Sequence, residues 1–129
     1  MNERPMFLLV GEATDNYAQQ GLREVLATLG ALHLAPEDEL VERLQEQYYD
    51  LVIVDAGATQ ISPEILVARA RQTSPASKAV VITASPHWKI ARAVYLAGAR
   101  EYLDKTLRKE ELLEKIKAVL ASSCSESSL

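Results

Sequence analysis

Short runs of consecutive apolar residues alternate along the chain with longer stretches in which apolar residues recur every three or four positions. The clearest runs are residues 6–10, 51–54 and 79–82, and two weaker ones cover residues 31–35 and 101–103. Each run is too short for a helix. Because the apolar residues are continuous rather than alternating, they predict strands that are buried on both faces, as in a parallel sheet.

The stretches after these runs predict five helices. Their apolar positions are Leu22, Val25, Leu26 and Leu29; Leu40, Val41 and Leu44; Ile65, Leu66 and the alanines that follow; Ile90, Val94 and Ala97; and Leu112, Leu113, Ile116, Val119 and Leu120. Ser62 and Pro63 are typical of a helix start with serine as the cap, and Gly30 and Gly98 are typical helix ends. The resulting order, strand and helix repeated five times, predicts right-handed crossovers with helices on both faces of one sheet.

The residues one or two positions after the predicted strands carry the candidate chemistry. They are Glu12 after the first strand, Asp55 after the third, Thr83 after the fourth and Lys105 after the fifth. Ligands of open parallel sheets bind at the carboxyl ends of the strands, so we expect these side chains to meet at one edge. Two carboxylates suit Mg²⁺, and Asp55 is then the candidate nucleophile for a phosphoryl group. A hydroxyl and an ammonium group would bind the phosphoryl oxygens.

Composition and charge narrow the possible functions. The 129 residues fit one domain, which we place at residues 1–121, and residues 122–129 are polar and predict a flexible tail or the start of a linker. The net charge of -4 offers no basic surface for nucleic acid. No apolar run approaches the ~20 residues of a membrane span. The single cysteine, Cys124, cannot form an internal disulfide, which favours a cytoplasmic location.

The chain resembles the response-regulator receiver domain of two-component signal transduction. The resemblance extends over residues 5–121 and is strongest in residues 79–85 (AVVITAS), 96–99 (LAGA) and 102–105 (YLDK), which follow the order and intervals of the family. It implies a flavodoxin-like, doubly wound (βα)5 fold. The five-stranded parallel sheet of that fold has the order 2-1-3-4-5.

The resemblance also implies a role for each site residue. Asp55 matches the phosphoacceptor, Thr83 the switch hydroxyl, Tyr102 the aromatic residue that turns inward on activation, Lys105 the site lysine, and Glu12, Asp55 and the carbonyl of Gly57 the Mg²⁺ ligands. The implied phosphoryl donor is a sensor histidine kinase or a phosphotransfer protein. The implied output is a changed surface on the fourth helix, fifth strand and fifth helix, which would contact a downstream protein, a fused output domain or a second copy of the chain.

Three positions depart from the family pattern. Gly11 and Glu12 stand where the family has two adjacent acids, and one carboxylate fewer predicts weaker Mg²⁺ binding. Residues 56–60 lack the usual Met-Pro and later glycine of the loop. Thr106 replaces a proline after Lys105, so a trans bond is expected, because a cis bond without proline costs about 2.5–4 kcal/mol. A trans bond at this point is expected to shift the lysine relative to the site.

Three functional hypotheses follow. The favoured one is a receiver that accepts a phosphoryl group, because the nucleophile, one acid, the hydroxyl and the lysine are all present. The second is a pseudo-receiver that binds partners without phosphate. The third, an enzyme that acts on an external substrate, has little support, because no dinucleotide, phosphate-loop or nucleophile-elbow motif occurs. At most we expect Mg²⁺-dependent self-phosphorylation and autodephosphorylation on Asp55.

Overall fold

Five parallel strands form one sheet in the order β2-β1-β3-β4-β5 in this computed structural model, which describes residues 4–11 and 16–122. The strands are β1 (Met6–Val10), β2 (Ala31–Ala35), β3 (Leu51–Asp55), β4 (Lys78–Thr83) and β5 (Glu101–Asp104). Every neighbouring pair is parallel. The predicted fold class and the strand order 2-1-3-4-5 are therefore confirmed.

Five α-helices cover the two faces of the sheet. They are α1 (Asn16–Leu29), α2 (Leu40–Glu46), α3 (Pro63–Thr73), α4 (Trp88–Ala97) and α5 (Lys109–Ala121), with single 3-10 turns at Glu37–Glu39 and Ala56–Ala58. Helices α1 and α5 pack on one face, and α2, α3 and α4 pack on the other. The sheet therefore lies between two helical layers, which leaves its carboxyl edge open for a site.

Burial on both sides explains why the strands consist of continuous apolar runs. In β1, Leu8 and Val10 belong to the core beneath α2, α3 and α4, whereas Phe7 and Leu9 belong to the core beneath α1 and α5. All five residues of β3 are buried. Successive side chains of a strand point to opposite faces, so a strand between two helical layers is apolar along most of its length, and in β3 the exception is Asp55 at the carboxyl end.

Three details of the predicted helices are wrong. Ile90 of α4 is 39% exposed, and Val94 is the buried residue of that helix. Ile65 is 44% exposed, and the residues of α3 that reach the core are Leu66, Val67 and Ala70. Ser62 occupies the position before α3, but its side chain makes no capping hydrogen bond. Its carbonyl oxygen instead accepts hydrogen bonds from the backbone N–H groups of Ile65 and Leu66. The predicted position of the helix cap is therefore confirmed, whereas the predicted capping by the serine side chain is wrong.

The end of α5 is tied to the sheet by two cationic side chains. Lys78 Nζ donates a hydrogen bond to the Leu120 carbonyl at 2.9 Å, and Arg100 Nη1 donates to Ser122 Oγ at 3.2 Å. The rest of the predicted tail, including Cys124, lies outside the described residues. None of the helices in residues 4–11 and 16–122 has the length and apolar composition that crossing a bilayer requires.

Candidate functional site

The carboxyl ends of the strands place the predicted site residues along one edge of the sheet. Asp55 and Thr83 are the last residues of β3 and β4, one position further than the predicted strand ends, and Lys105 follows β5 directly. The backbone N–H of Lys105 donates to the Thr83 carbonyl at 2.7 Å. Glu12 lies outside the described residues, so its predicted place at this edge stays a prediction.

Asp55 is completely buried and its carboxylate has donors on both oxygens. Lys105 Nζ forms an ion pair with Oδ2 at 2.7 Å, and the Gly57 N–H donates to Oδ1 at 3.1 Å. The Lys105 side chain is itself only 12% exposed. Removal of one partner from such a pair leaves an uncompensated buried charge, so the lysine is a necessary part of the site.

Gln19 is a site residue that the sequence analysis missed. Its Nε2 donates to Asp55 Oδ2 at 2.6 Å and to the Gly11 carbonyl at 3.2 Å, and the side chain is completely buried. A signal existed in the sequence: Gln19 precedes Leu22 by three positions and Leu26 by seven, so it lies on the apolar face of α1. A polar residue on a buried helix face requires a hydrogen-bond partner, and here that partner is Asp55.

Arg23 supports Gln19 from the next turn of α1. Its Nε and Nη2 donate to Gln19 Oε1 at 3.0 and 2.8 Å. The guanidinium fixes which end of the amide is the acceptor, because arginine can only donate. The Nε2 group must therefore face Asp55.

The Thr83 hydroxyl lies at the start of the β4–α4 loop. The residue is 8% exposed, and its Oγ1 accepts a hydrogen bond from the Ser85 N–H at 3.1 Å. The loop conformation is thus coupled to the orientation of this hydroxyl. The role of Thr83 as a switch stays a prediction.

Tyr102 connects β5 with the beginning of α4. Its hydroxyl accepts a hydrogen bond from the His87 N–H at 3.3 Å, and its own backbone N–H donates to the Tyr95 hydroxyl at 3.1 Å. His87 is the N-cap of α4, where its Nδ1 accepts from the Lys89 N–H. Burial, followed by the charge of Glu101, raises the pKa of Tyr95. Because His87 is the N-cap, a rotation of the Tyr102 ring would break a hydrogen bond at the start of α4.

The turn after Lys105 is stabilised without proline. No peptide bond in the described residues is cis, as expected for Lys105–Thr106. Asp104 Oδ1 accepts hydrogen bonds from the N–H and the hydroxyl of Thr106 at 2.8 and 2.7 Å, and these hold the pKa of Asp104 below its usual value. With this trans bond, Lys105 Nζ still contacts Asp55.

Gly11 occupies the position of the missing acid, and its backbone explains why a larger residue fits poorly there. Its φ is 122°, and a Cβ atom would lie 3.1 Å from Ala58 Cβ and 3.2 Å from the Asp55 carbonyl oxygen. The neighbouring Thr59 Oγ1 is buried without a hydrogen-bond partner among the described residues. The loss of the carboxylate is therefore accompanied by a local backbone and packing arrangement that only glycine satisfies.

The donor chemistry of the site fits a hard divalent cation. Asp55 offers a buried carboxylate and Gly11 a carbonyl oxygen, and one amide group contacts both. The described residues nevertheless contain no group of three or more His, Cys, Asp or Glu residues that could hold a metal ion. The ligand roles of Glu12 and of the Gly57 carbonyl stay predictions.

The chain belongs to the response regulator receiver domain family, whose pattern it matches over residues 11–117. Members of this family are receivers of two-component systems, bind Mg²⁺ at the phosphorylation site and are generally not true enzymes. The chain is also 28% identical over 86 residues to the two-component response regulator PhoP of Pseudomonas aeruginosa. The match covers 67% of this chain but only 38% of that relative.

Solved structures share the fold. A receiver domain of an HD domain-containing protein from Pseudomonas fluorescens has a TM-score of 0.83 at 27% identity, with 99% of this chain and 95% of that one covered. A response regulator from Thermotoga maritima has a TM-score of 0.81 at 26% identity, and the match covers 92% of this chain and 99% of that one. The third structure is a response regulator of Burkholderia pseudomallei with a phosphorylated aspartic acid, a calcium ion and citrate. It has a TM-score of 0.74 at 22% identity, and the match covers 96% of this chain and 71% of that one. This likeness concerns the fold alone.

Proposed function

We propose that Asp55 accepts a phosphoryl group from a sensor histidine kinase or a phosphotransfer protein, with Mg²⁺ bound at the same edge of the sheet. The observation that carries this proposal is the buried Asp55 carboxylate paired with Lys105 Nζ at 2.7 Å. The phosphorylated aspartic acid and the calcium ion of the Burkholderia pseudomallei response regulator support the same chemistry on this fold.

Each residue has a distinct task in the proposed transfer. An oxygen of Asp55 attacks phosphorus, and the bond between phosphorus and the nitrogen of the donor histidine breaks. Lys105 then exchanges its contact with the carboxylate for a contact with a phosphoryl oxygen, and the Thr83 hydroxyl donates to another. Bound Mg²⁺ would offset the phosphoryl charge, with Asp55, Glu12 and the Gly57 carbonyl as its proposed ligands.

The proposed signal passes from Thr83 to the start of α4. If the hydroxyl turns toward the phosphoryl group, its bond to the Ser85 N–H is lost and the β4–α4 loop is released. Tyr102 can then turn inward, which removes the acceptor of the His87 N–H. The result is a two-state element that a local charge biases.

The surface of α4 supports a partner-binding role. Four large apolar side chains of α4 are exposed, namely Trp88, Ile90, Tyr95 and Leu96. Several exposed apolar side chains on one helix favour an interaction surface. We propose that this helix, with β5 and α5, contacts a downstream protein, a fused output domain or a second copy of the chain. We also propose that residues 1–121 form the receiver domain and that the protein acts in the cytoplasm, as is typical of the family.

A phosphate-independent pseudo-receiver is the second candidate. Two observations favour it: Gly11 carries no carboxylate, and both oxygens of Asp55 already accept hydrogen bonds from protein groups. In that case the same α4 surface would bind a partner in a single, permanent conformation.

Acetyl phosphate with Mg²⁺, followed by intact mass measurement, tests the proposal. The wild type is expected to gain one phosphoryl group, which Asp55→Asn abolishes. Asp38→Asn, a matched change at an exposed acid, is expected to label normally. An unmodified wild type would favour the pseudo-receiver, and multiple turnover of a small phosphoester would favour an enzyme.

A further inference from the structure

We infer that Gln19 is a positioning residue that holds the Asp55 carboxylate and competes with a divalent cation for it. The inference rests on the proposed function, because the access of a cation to Asp55 affects signalling only if Asp55 is the phosphoacceptor. It concerns the buried amide of Gln19 on α1, which was not among the predicted core residues or the predicted site residues.

The amide lies between the two kinds of oxygen that a cation would use. Gln19 Nε2 is 2.6 Å from Asp55 Oδ2 and 3.2 Å from the Gly11 carbonyl oxygen. Hard cations prefer carboxylate and carbonyl oxygens, and a cation on Oδ2 needs a lone pair of that oxygen. Because Lys105 Nζ also contacts Oδ2, this oxygen already has two close donors. A cation on this oxygen must therefore displace the amide or the lysine, and otherwise it binds elsewhere on the carboxylate.

Arg23 makes displacement of the amide costly. Two guanidinium N–H groups hold Gln19 Oε1 at 2.8 and 3.0 Å, so the amide cannot rotate without breaking both hydrogen bonds. The guanidinium also places a positive charge next to the Gln19 amide, and this charge disfavours the binding of a metal cation nearby. Gln19 and Arg23 thus stabilise the unphosphorylated carboxylate by donors of the protein itself.

Titration of MgCl₂ into the protein by isothermal titration calorimetry tests this inference. Gln19→Glu replaces the competing donor with a second carboxylate, and the dissociation constant for Mg²⁺ is expected to fall by about tenfold or more. Gln19→Leu removes the competing donor without adding charge, and a smaller decrease is expected. Gln20→Glu adds the same charge at the exposed neighbour on α1 and is the matched control, with unchanged affinity.

A purely structural role for Gln19 predicts a different pattern. Gln19→Leu would then lose stability while its Mg²⁺ affinity stayed equal to that of the wild type or decreased, and this result would overturn the inference even if Gln19→Glu, which adds a ligand, bound Mg²⁺ more tightly. Thermal unfolding with and without MgCl₂ gives a second readout, because Gln19→Glu should gain more from the cation than the wild type does. If Gln19→Leu does not fold, Arg23→Ala loosens the same amide and should also tighten Mg²⁺ binding.

The two proposals can fail separately. If Mg²⁺ affinity responds to Gln19 as expected but acetyl phosphate adds no mass, the phosphoacceptor role of Asp55 is wrong and the competition stands. If the wild type is phosphorylated and Gln19→Glu, Gln19→Leu and Arg23→Ala all titrate like the wild type, the competition is wrong and the phosphoacceptor role stands.

Discussion

At the scale of single residues, the site is organised around one buried negative charge. Asp55 is held by an ammonium group, an amide and a backbone N–H, from Lys105, Gln19 and Gly57. A buried carboxylate requires such donors, because an ion removed from water without them would be strongly destabilising. The same donors that stabilise this charge also limit the access of a cation to it.

Gly11→Asp is expected to destabilise the protein rather than restore a second metal-binding acid. A φ of 122° costs a residue with a Cβ roughly 1–3 kcal/mol. The new Cβ would also press on Ala58 and on the Asp55 carbonyl. Urea denaturation would measure the loss.

Gly57→Ala is the matched control for that substitution. Its Cβ would meet Asp55 Oδ1 at an ordinary 3.6 Å, so its free energy of unfolding should equal that of the wild type or exceed it slightly. A Gly11→Asp variant as stable as Gly57→Ala would show that the loop adapts without strain.

At the scale of elements, the helices are fixed to the sheet by close contacts at their ends. The turn between α1 and β2 is an example, because Gly30 lies against Pro5, whose carbonyl accepts a hydrogen bond from the Ala31 N–H. A Cβ at Gly30 would lie 2.2 Å from the Pro5 carbonyl oxygen. The first residues of β1 and β2 can pair only because this position has no side chain.

Gly30→Ala should therefore destabilise the domain by roughly 1–3 kcal/mol, as overpacking typically does. Gly21→Ala, in the interior of α1, should have the opposite sign, because its Cβ would meet nothing closer than Lys109 Cε at 3.8 Å. Alanine in a helix interior is favoured over glycine by roughly 0.5–1 kcal/mol. Chemical denaturation measures the free energy of unfolding of both variants. A change in the same direction for Gly30→Ala and Gly21→Ala would contradict the packing argument.

At the scale of the whole molecule, the site and the exposed surface of α4 are joined by a short series of contacts. The Thr83 hydroxyl holds the β4–α4 loop, and the His87 N–H in that loop donates to the Tyr102 hydroxyl. Trp88 follows, stacked on His87 with ring centroids 6.2 Å apart. A change at the Thr83 hydroxyl can therefore reach an apolar surface through the hydrogen bonds of the β4–α4 loop.

We expect beryllofluoride, a phosphoryl mimic, with Mg²⁺ to change the fluorescence of Trp88, the single tryptophan of the chain. The response should vanish in Asp55→Asn, which removes the site. It should shrink in Thr83→Val, which keeps the shape of the side chain and removes the hydroxyl. A flat response of the wild type up to tens of millimolar Mg²⁺ would favour the pseudo-receiver.

The sequence by itself determined the sheet and the candidate nucleophile. A strand buried on both faces is apolar over most of its length, so β1, β3 and β4 were visible as local runs, and Asp55 was visible as the charge that follows one of them. Strand ends were short by one residue, because Asp55 and Thr83 are polar yet still pair within the sheet.

Only the tertiary structure decided how the site is completed. Gln19 and Asp55 are 36 positions apart, and no local pattern states that α1 brings a buried amide to the end of β3. The positive φ of Gly11 and the turn of Asp104 and Thr106, which places Lys105 without proline, likewise depend on geometry. Periodicity reports which face of an element is buried, whereas a hydrogen bond between distant segments exists only once those segments have packed.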